Sequence, residues 1–319
     1  MHALVYDGRL NLVSRHPVPG VPEKWARIRV RLAGICNTDL EISKGYMDFK
    51  GVLGHEFVGV VDACSEETWV GKRVVGEINA ACGQCDMCDR GLGRHCPNRS
   101  TLGIQGLDGC MADYCVLPIS NLREVPEDIP DERVVFTEPL SAACEIIEQL
   151  KPARCKRAIV LGDGKLGILC AWVLCTILSD VTLVGHHASK LKAARWKNLK
   201  TARNLKEVES WANIVVEATG TAEGIKHAME ICEPRGHIVL KSTIASDITL
   251  NLAPLVVNEQ TIVGSRCGQF RDGMRMLEKY PDMPIERLIT ARYPLAEAEK
   301  AFEHAAEPQA LKVLIETEL

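Results

Sequence analysis

One segment in the first third of the chain alternates hydrophobic and polar residues with a period of two. From Arg27 to Leu32, arginines alternate with isoleucine, valine and leucine, which is typical of a strand with one buried face. Short apolar runs at 3–6, 57–62 and 73–75 are separated by glycine, proline and aspartate, which favour turns. This pattern predicts a β-rich N-terminal region.

From residue 158 the pattern changes to apolar strands that alternate with helical segments. The predicted strands are 158–162, 181–185, 214–218 and 237–240, and the predicted helices are 165–178, 188–197 and 222–232. Parallel strands need a crossover connection, and a helix is the usual one. The alternation therefore predicts an α/β fold with a parallel sheet covered on both faces.

Composition narrows the class of protein. The chain has 319 residues, 46% of them hydrophobic and 25% charged, which is typical of a soluble globular protein with two domains. The net charge is −4 and no basic stripe is present, which argues against a nucleic-acid partner. The start has no signal-peptide pattern, and the apolar run 166–178 is shorter than the roughly 20 residues that span a bilayer. We therefore expect a cytoplasmic protein without a membrane partner.

A glycine-rich motif follows the first strand of the α/β region. Gly162, Gly164 and Gly167 form a G-x-G-x-x-G sequence that ends a predicted strand and begins a predicted helix. Such glycines allow a tight turn, close approach of a pyrophosphate and close packing of the helix on the strand. We predict a dinucleotide site in which Lys165 and Leu166, at the helix N-terminus, contribute to phosphate binding.

The second strand of this region ends without the carboxylate that holds the ribose 2′-hydroxyl in NAD-binding proteins. In its place, His186, His187 and Lys190 can offset the charge of a 2′-phosphate. The alternative is that these are solvated turn residues and that NAD binds without a carboxylate. The sequence favours NADP as the form of NAD(P) that is bound.

Four of the 14 cysteines form a compact motif. Cys82, Cys85, Cys88 and Cys96 have the spacing C-x2-C-x2-C-x7-C. Four thiolates complete a tetrahedral structural zinc site. A bacterial ferredoxin motif begins in the same way but has three residues before its last cysteine, where this chain has seven. The spacing favours a structural Zn2+ over an iron–sulfur cluster or unligated thiols.

Two more stretches contain metal-ligating residue types, namely Gly-Ile-Cys36-x-Thr38-Asp and Gly-His55-Glu56-Phe-x-Gly. Taken singly, a lone cysteine or histidine is usually a core residue. Together with the four-cysteine motif and the glycine-rich motif, in this order, they make the chain resemble the zinc-dependent medium-chain dehydrogenase/reductase family. This family includes the alcohol and polyol dehydrogenases, and the resemblance covers nearly the whole chain.

The resemblance implies a second, catalytic Zn2+. Cys36 and His55 match the first two ligands of the family, and Glu138 matches the third. The Glu-Pro-Leu-Ser run at Glu138 is similar to the branch of sorbitol, glucose and threonine dehydrogenases, although a carboxylate at a helix N-terminus is the alternative. Glu56 matches a carboxylate that can approach or replace a ligand, and Thr38 matches the hydroxyl that takes the substrate proton.

Two further matches concern the cofactor, and the remaining cysteines match nothing. Thr219 lies in a run similar to the family's turn near the cofactor ribose, and Arg266 in a segment similar to the one that returns towards the nicotinamide. A surface salt bridge is an equal alternative for Arg266.

The other nine cysteines have no ligand spacing, and core packing is their default interpretation.

The implied architecture is a GroES-like β-barrel catalytic domain at 1–139, rejoined by 269–319, with a Rossmann doubly wound parallel-sheet domain at 140–268. The implied reaction moves a hydride between NAD(P) and a small alcohol or carbonyl substrate, with a secondary alcohol of a polyol or sugar as the expected substrate. Two alternatives are a low-turnover structural or regulatory protein that binds the cofactor, and a double-bond reductase. Double-bond reductases of this scaffold usually lack both zinc sites. A homodimer or homotetramer is expected.

Overall fold

The computed structural model describes residues 1–152, 157–208, 211–243 and 247–317. The described chain forms two compact units: the first is Met1–Glu138 with Leu277–Lys279 and Ile289–Leu319, and the second is Pro139–Met276 with Tyr280–Leu288. This division differs from the prediction that all of 269–319 returns to the first domain. Residues 280–288 lie with the second unit because Trp196 donates a 2.9 Å hydrogen bond to Asp282 and packs edge-on against Tyr280.

The first unit is built mainly from antiparallel strands. Its strands are β1 (Ala3–Tyr6), β2 (Leu10–Val13), β3 (Trp25–Gly34), β4 (Gly51–Val52), β5 (Glu56–Cys64), β6 (Arg73–Gly76), β7 (Asn79–Ala80), β8 (Ser100–Leu102), β9 (Gly106–Leu107), β10 (Tyr114–Pro118), β11 (Leu122–Glu124), β18 (Ile289–Pro294) and β19 (Lys312–Glu316). Most of them form one sheet in the order β11-β6-β5-β3-β19-β18, with β10 paired to β3. The predicted alternation in β3 is confirmed, since Ile28 and Val30 are buried whereas Arg29 is exposed.

Short helices connect the strands of the first unit. They are α1 (Asn37–Ile42), α2 (Asp86–Asp89), α3 (Asp131–Val134) and α10 (Ala298–Ala305), and α4 (Thr137–Leu150) begins at its boundary. Two of these helices lie next to predicted metal ligands. Helix α1 begins directly after Cys36, shortly after the end of β3, and α2 lies within the four-cysteine segment. No helix in the described part of the chain is long and apolar enough to cross a membrane.

The second unit contains a parallel sheet. Its strands are β12 (Arg157–Leu161), β13 (Asp180–Val184), β14 (Lys200–Ala202), β15 (Ala212–Glu217), β16 (Cys232–Leu240) and β17 (Thr261–Gly264). Its helices are α5 (Lys165–Cys175), α6 (Ala188–Ala193), α7 (Ala222–Ile231), α8 (Ala253–Val257) and most of α9 (Phe270–Lys279), whose last three residues belong to the first unit. Within the described residues the strand order is β14-β13-β12-β15-β16-β17, with every pairing parallel. This order confirms the predicted doubly wound sheet.

Several predicted boundaries in this unit were wrong. The helix predicted to reach residue 197 ends at Ala193, and Lys197 has a positive φ of 47° that a helix does not accommodate. The sequence pattern also missed β14, because only Ala202 of its three residues is buried and no apolar alternation marks it. The strand predicted at 237–240 begins earlier, at Cys232.

Candidate active site and metal centres

Three ligand-type side chains of the first unit converge beside the start of α1. The Sγ of Cys36, a ring nitrogen of His55 and a carboxylate oxygen of Glu56 lie within 4.8 Å of one another. Strands β3 and β5 pair so that Gly34 lies opposite Glu56, and this pairing brings the end of β3 next to the residues that begin β5. The structure thus brings together residues that belong to two separate sequence motifs.

Asp39 holds two of these side chains in place. Its buried carboxylate accepts a 2.8 Å hydrogen bond from the backbone N–H of Cys36, and its other oxygen lies 3.2 Å from Nδ1 of His55. This second contact is electrostatic. A carboxylate against one ring nitrogen is the usual outer partner of a metal-binding histidine. Sequence reasoning missed Asp39, although its position three residues after Cys36 is that of the acid in a capping box.

The same contacts change the protonation of His55. Burial alone lowers the pKa of His55, but the carboxylate of Asp39 and the thiolate form of Cys36 outweigh burial and raise the pKa well above its ordinary value. The raised pKa favours the protonated imidazole in the protein without metal. Because a metal binds the neutral ring, metal uptake has to release this proton.

Lys312 forms a fully buried ion pair with Glu56. Both side chains have 0% exposure, and Nζ of Lys312 donates to Oε2 of Glu56. The ammonium also lies 3.4 Å from the carbonyl oxygen of Ile35 and 5.5 Å from the centre of the Phe136 ring. Sequence reasoning missed this residue too; the signal was a lysine directly before the apolar run 313–315 of β19.

The donor set fits a zinc ion. Within the described residues, Oε1 of Glu56 is buried without a hydrogen-bond partner, although its twin oxygen binds Lys312. A buried polar atom without a partner is costly, and a cation is one way to satisfy it. Sulfur, imidazole nitrogen and carboxylate oxygen are the donors that zinc takes in catalytic sites.

The other two residues predicted for this site lie in the same unit. Thr38 is in the first turn of α1, with its hydroxyl oxygen 3.8 Å from Sγ of Cys36. Glu138 is the second residue of α4 and is half-buried. Among the described residues, the set of donors within 4.8 Å of one another contains Glu56 and does not contain Glu138.

The four-cysteine motif forms a separate cluster. Its Sγ–Sγ distances are 3.5 Å for Cys82–Cys96, 3.5 Å for Cys85–Cys88, 3.7 Å for Cys85–Cys96 and 4.0 Å for Cys82–Cys88. Sulfur atoms about 2.3 Å from a central zinc in a tetrahedron lie about 3.8 Å apart, so the cluster has the dimensions of a zinc site. A hydrogen bond from the backbone N–H of Cys82 lowers the pKa of Cys96, which favours the thiolate that binds metal.

A variant of this cluster provides a direct test. We expect Cys96→Ser to lose one zinc ion per chain, measured by elemental analysis of the purified protein, because three thiolates leave the shell incomplete. The matched control is Cys175→Ala, a buried cysteine outside both clusters, which is expected to keep the full zinc content. Iron in place of zinc in the unmodified protein would contradict the assignment.

The remaining cysteines divide by burial. Cys155 lies outside the described residues. Of the others, Cys110, Cys115, Cys144, Cys170, Cys175 and Cys232 are buried, whereas Cys64 and Cys267 are half-buried. Burial raises the pKa of Cys144, Cys175 and Cys232 to about 12, so these thiols stay protonated and unreactive. The buried six fit the interpretation as core residues.

In the second unit, the glycine-rich loop lies where the strand order reverses. It follows β12, which has β13 on one side and β15 on the other. Gly162 has a φ of 110°, and a Cβ there would lie 2.6 Å from the carbonyl oxygen of Ala218. A Cβ on Gly167 would lie 2.0 Å from the carbonyl oxygen of Gly162. The first and third glycines are therefore required by the protein's own packing.

The middle glycine has a different environment. A Cβ on Gly164 would meet nothing within 4 Å, so the backbone there borders open space. Lys165 and Leu166 follow as the first two residues of α5, and the amides of a first helical turn have no partner within the helix. This open backbone at the N-terminus of α5 fits the pyrophosphate of a dinucleotide.

The end of β13 has an arrangement that the sequence did not indicate. The side chain of Asp163, from the glycine-rich loop, accepts a 2.7 Å hydrogen bond from the backbone N–H of His187 and lies 3.1 Å from its Nδ1. Of the other predicted contacts of a 2′-phosphate, His186 is exposed and Lys190 is largely buried. Burial lowers the pKa of Lys190, and the charge of Asp163 opposes this effect.

Thr219 and Arg266 follow two other strands of the sheet. Thr219 is exposed after β15, and the fully buried carboxylate of Glu217 accepts hydrogen bonds from the backbone N–H of Thr219, at 2.6 Å, and from its hydroxyl. Arg266 is exposed after β17, and its carbonyl oxygen accepts a 2.9 Å hydrogen bond from Lys241. The sequence analysis assigned no role to Glu217, which holds the turn at Thr219.

Comparisons with known proteins agree with this geometry. Residues 22–127 match the model of the alcohol dehydrogenase GroES-like domain, and residues 132–317 match the model of the glucose dehydrogenase C-terminus. Sorbitol dehydrogenase of Halalkalibacterium halodurans is 26% identical and covers 95% of this chain and 94% of its own. L-threonine 3-dehydrogenase of Cutibacterium acnes is 29% identical and covers 96% of this chain and 98% of its own.

A solved structure is similar over the same length. RspB from E. coli CFT073, described as a short chain alcohol dehydrogenase and solved in complex with NADH, has a TM-score of 0.90 at 25% identity and covers 99% of both chains. Together, the two family models span both units, and the second model alone matches more than half of the chain. The chain therefore belongs to the zinc-dependent medium-chain dehydrogenase/reductase family.

Proposed function

We propose that the chain catalyses reversible hydride transfer between a small alcohol and a nicotinamide dinucleotide, with a zinc ion at Cys36 and His55. The observation that carries the proposal is the donor set of the first unit, in which His55 and Glu56 are buried, Cys36 is half-buried, and one oxygen of Glu56 has no hydrogen-bond partner among the described residues. Structural zinc sites usually have four cysteine or histidine ligands, whereas catalytic zinc takes sulfur, nitrogen and oxygen donors and keeps one position open. A set of one cysteine, one histidine and a carboxylate is therefore typical of catalytic zinc.

For this metal we propose Cys36, His55 and Glu138 as resident ligands. Glu56 already shares one oxygen with Lys312, so the lysine neutralises it and weakens it as a permanent donor. It is better suited to approach the metal transiently through its other oxygen. Three protein ligands leave one position for the substrate oxygen. The four cysteines at 82–96 are proposed to hold a second, purely structural zinc.

The residues around the donor set then have defined tasks. When bound at these residues, zinc would supply Lewis-acid polarisation of the substrate oxygen, and a nicotinamide would supply the hydride acceptor or donor. Thr38, whose hydroxyl lies 3.8 Å from Sγ of Cys36, takes the proton of the substrate hydroxyl and passes it outwards. Asp39 keeps the His55 ring oriented through its other nitrogen.

The proposed substrate class is a secondary alcohol of a polyol or sugar. Support comes from the sorbitol and L-threonine 3-dehydrogenases that align over nearly the whole chain, since sorbitol and threonine both carry secondary hydroxyl groups. For the cofactor, His186, His187 and Lys190 favour NADP by their charge, whereas the carboxylate of Asp163 stands against it. Thr219 and Arg266 are proposed as further cofactor contacts.

The two units are proposed to divide this work. The first unit acts as the GroES-like catalytic domain and the second as the Rossmann-type nucleotide domain. We infer that the active protein is a homodimer or homotetramer, which light scattering on the purified chain would establish.

The proposal is tested with a panel of polyols, aldoses and simple alcohols, each offered with NAD and with NADP. We expect alcohol-dependent reduction of the cofactor, followed by its absorbance, and two zinc ions per chain, one for each donor cluster. If the protein holds only one zinc, at the four cysteines, and reduces neither cofactor with any alcohol, the proposal is wrong. Reduction of activated double bonds without alcohol oxidation would point to the reductase alternative instead.

A further inference from the structure

The end of β13 lacks an acidic residue, and the structure shows what fills its place. Gly185 follows the last residue of β13 directly. A Cβ at this position would lie 2.3 Å from Cβ of Asp163 and 2.4 Å from one of its carboxylate oxygens. The space that a side chain of the second strand would enter is thus occupied by a carboxylate from the glycine-rich loop.

The position of this carboxylate is fixed from several directions. One oxygen of Asp163 accepts the backbone N–H of His187, and the imidazole of the same residue lies against both oxygens at 3.1 and 3.2 Å. The carboxylate also attracts the largely buried ammonium of Lys190. Asp163 itself is only 7% exposed. The carboxylate is therefore enclosed and held by several contacts, unlike an acid exposed at the surface.

We propose that Asp163 takes over the part of the missing strand-end acid, so that this chain binds NAD(H) in preference to NADP(H). The inference rests on the proposed function, because it assumes that a nicotinamide dinucleotide lies on the glycine-rich loop. In dinucleotide-binding folds, an acid at this edge of the sheet holds the ribose 2′-hydroxyl. The same negative charge repels a 2′-phosphate, and the repulsion is strong for a group with little solvent around it.

The nearby positive groups do not remove this repulsion. The ring of His187 already lies against Asp163, and the same carboxylate already balances the charge of Lys190. His186 is exposed, and Arg203 is an exposed residue whose guanidinium donates a 3.1 Å hydrogen bond to the carbonyl oxygen of His186. Solvent screens such exposed charges more than it screens the enclosed carboxylate.

The test measures binding rather than turnover. NADH and NADPH are each titrated into the full-length protein, with binding followed by cofactor fluorescence. We expect the dissociation constant of NADH to be at least about tenfold lower than that of NADPH. In Asp163→Asn, which keeps an oxygen to accept the N–H of His187 but loses the charge, we expect the two constants to become nearly equal, mainly through tighter NADPH binding.

A second pair of variants separates charge from local structure. Asp163→Ala vacates the space beside Gly185, and Gly185 has no positive φ that would exclude a side chain. Asp163→Ala alone is expected to lose the preference for NADH. The double variant Asp163→Ala/Gly185→Asp, which moves the acid to the strand end, is expected to recover it.

The outcomes distinguish failure of this inference from failure of the proposed function. Tighter binding of NADPH by the unmodified protein overturns the inference and leaves the proposed function intact. A preference for NADH that Asp163→Asn leaves unchanged overturns it as well. Binding of neither cofactor overturns the proposed function and this inference with it.

Discussion

Replacing Cys36 with serine is expected to remove the zinc of the first-unit donor set and to lower kcat/KM for the best alcohol by about a thousandfold or more. The thiolate is the sulfur donor of that set. Lewis-acid stabilisation by a catalytic metal is worth several kcal/mol, and about 1.4 kcal/mol corresponds to a factor of ten in rate. Zinc content and initial rates are measured on the same preparation.

Two carboxylate variants sharpen this prediction. Glu138→Gln is expected to lose the same zinc, because the neutral amide is a poorer ligand. Glu56→Gln is expected to keep this zinc and to lose less activity than Cys36→Ser does. The donor set itself contains Glu56, so the reverse pattern is also informative. If zinc is lost in Glu56→Gln and kept in Glu138→Gln, Glu56 is the third resident ligand.

The control for these variants is the second zinc. All three substitutions leave Cys82, Cys85, Cys88 and Cys96 untouched, so each variant is expected to retain one zinc ion per chain. If Cys36→Ser keeps both zinc ions and its activity, the first-unit donor set is not a catalytic metal site.

The fold was predictable from sequence because hydrophobic periodicity is a local signal. Arginine and aliphatic residues alternate within a single strand, β3, and the strand–helix alternation from residue 158 repeats over short distances. Where the local signal was weak, prediction failed. The strand Lys200–Ala202 has three residues and one buried side chain, so nothing in its sequence distinguishes it from a loop.

The sequence motifs pointed to Cys36 and His55, which the structure brings together, but not to the residues that support them. Cys36 and His55 were recognisable from motifs, whereas Asp39, Lys312 and Asp163 act through partners that only the fold brings close. Lys312 and Glu56 are 256 residues apart in sequence, and no local pattern links them. Asp163 occupies a variable position of a glycine-rich motif, so the effect on the cofactor that we propose for it could be inferred only from its contacts with Gly185 and His187.

Lys312 also leads to the largest expected effect on stability. Replacing it with methionine, which has a similar length and no charge, leaves the carboxylate of Glu56 fully buried without its counter-ion. Removing one partner of a buried ion pair costs about 3–5 kcal/mol, because the remaining charge stays in a low-dielectric environment. We expect Lys312→Met to lower the free energy of unfolding by this amount, measured by urea titration at constant zinc concentration.

A double-mutant cycle separates the ion pair from packing. Glu56→Gln/Lys312→Met removes both charges and is expected to recover a large part of the loss, since no uncompensated charge remains. Lys72→Met is the matched control, because Lys72 pairs with Glu124 at 2.7 Å on the surface, where such pairs contribute about 0–1 kcal/mol. A loss below about 1 kcal/mol for Lys312→Met, equal to that of the control, would show that Glu56 needs no counter-ion in the folded protein.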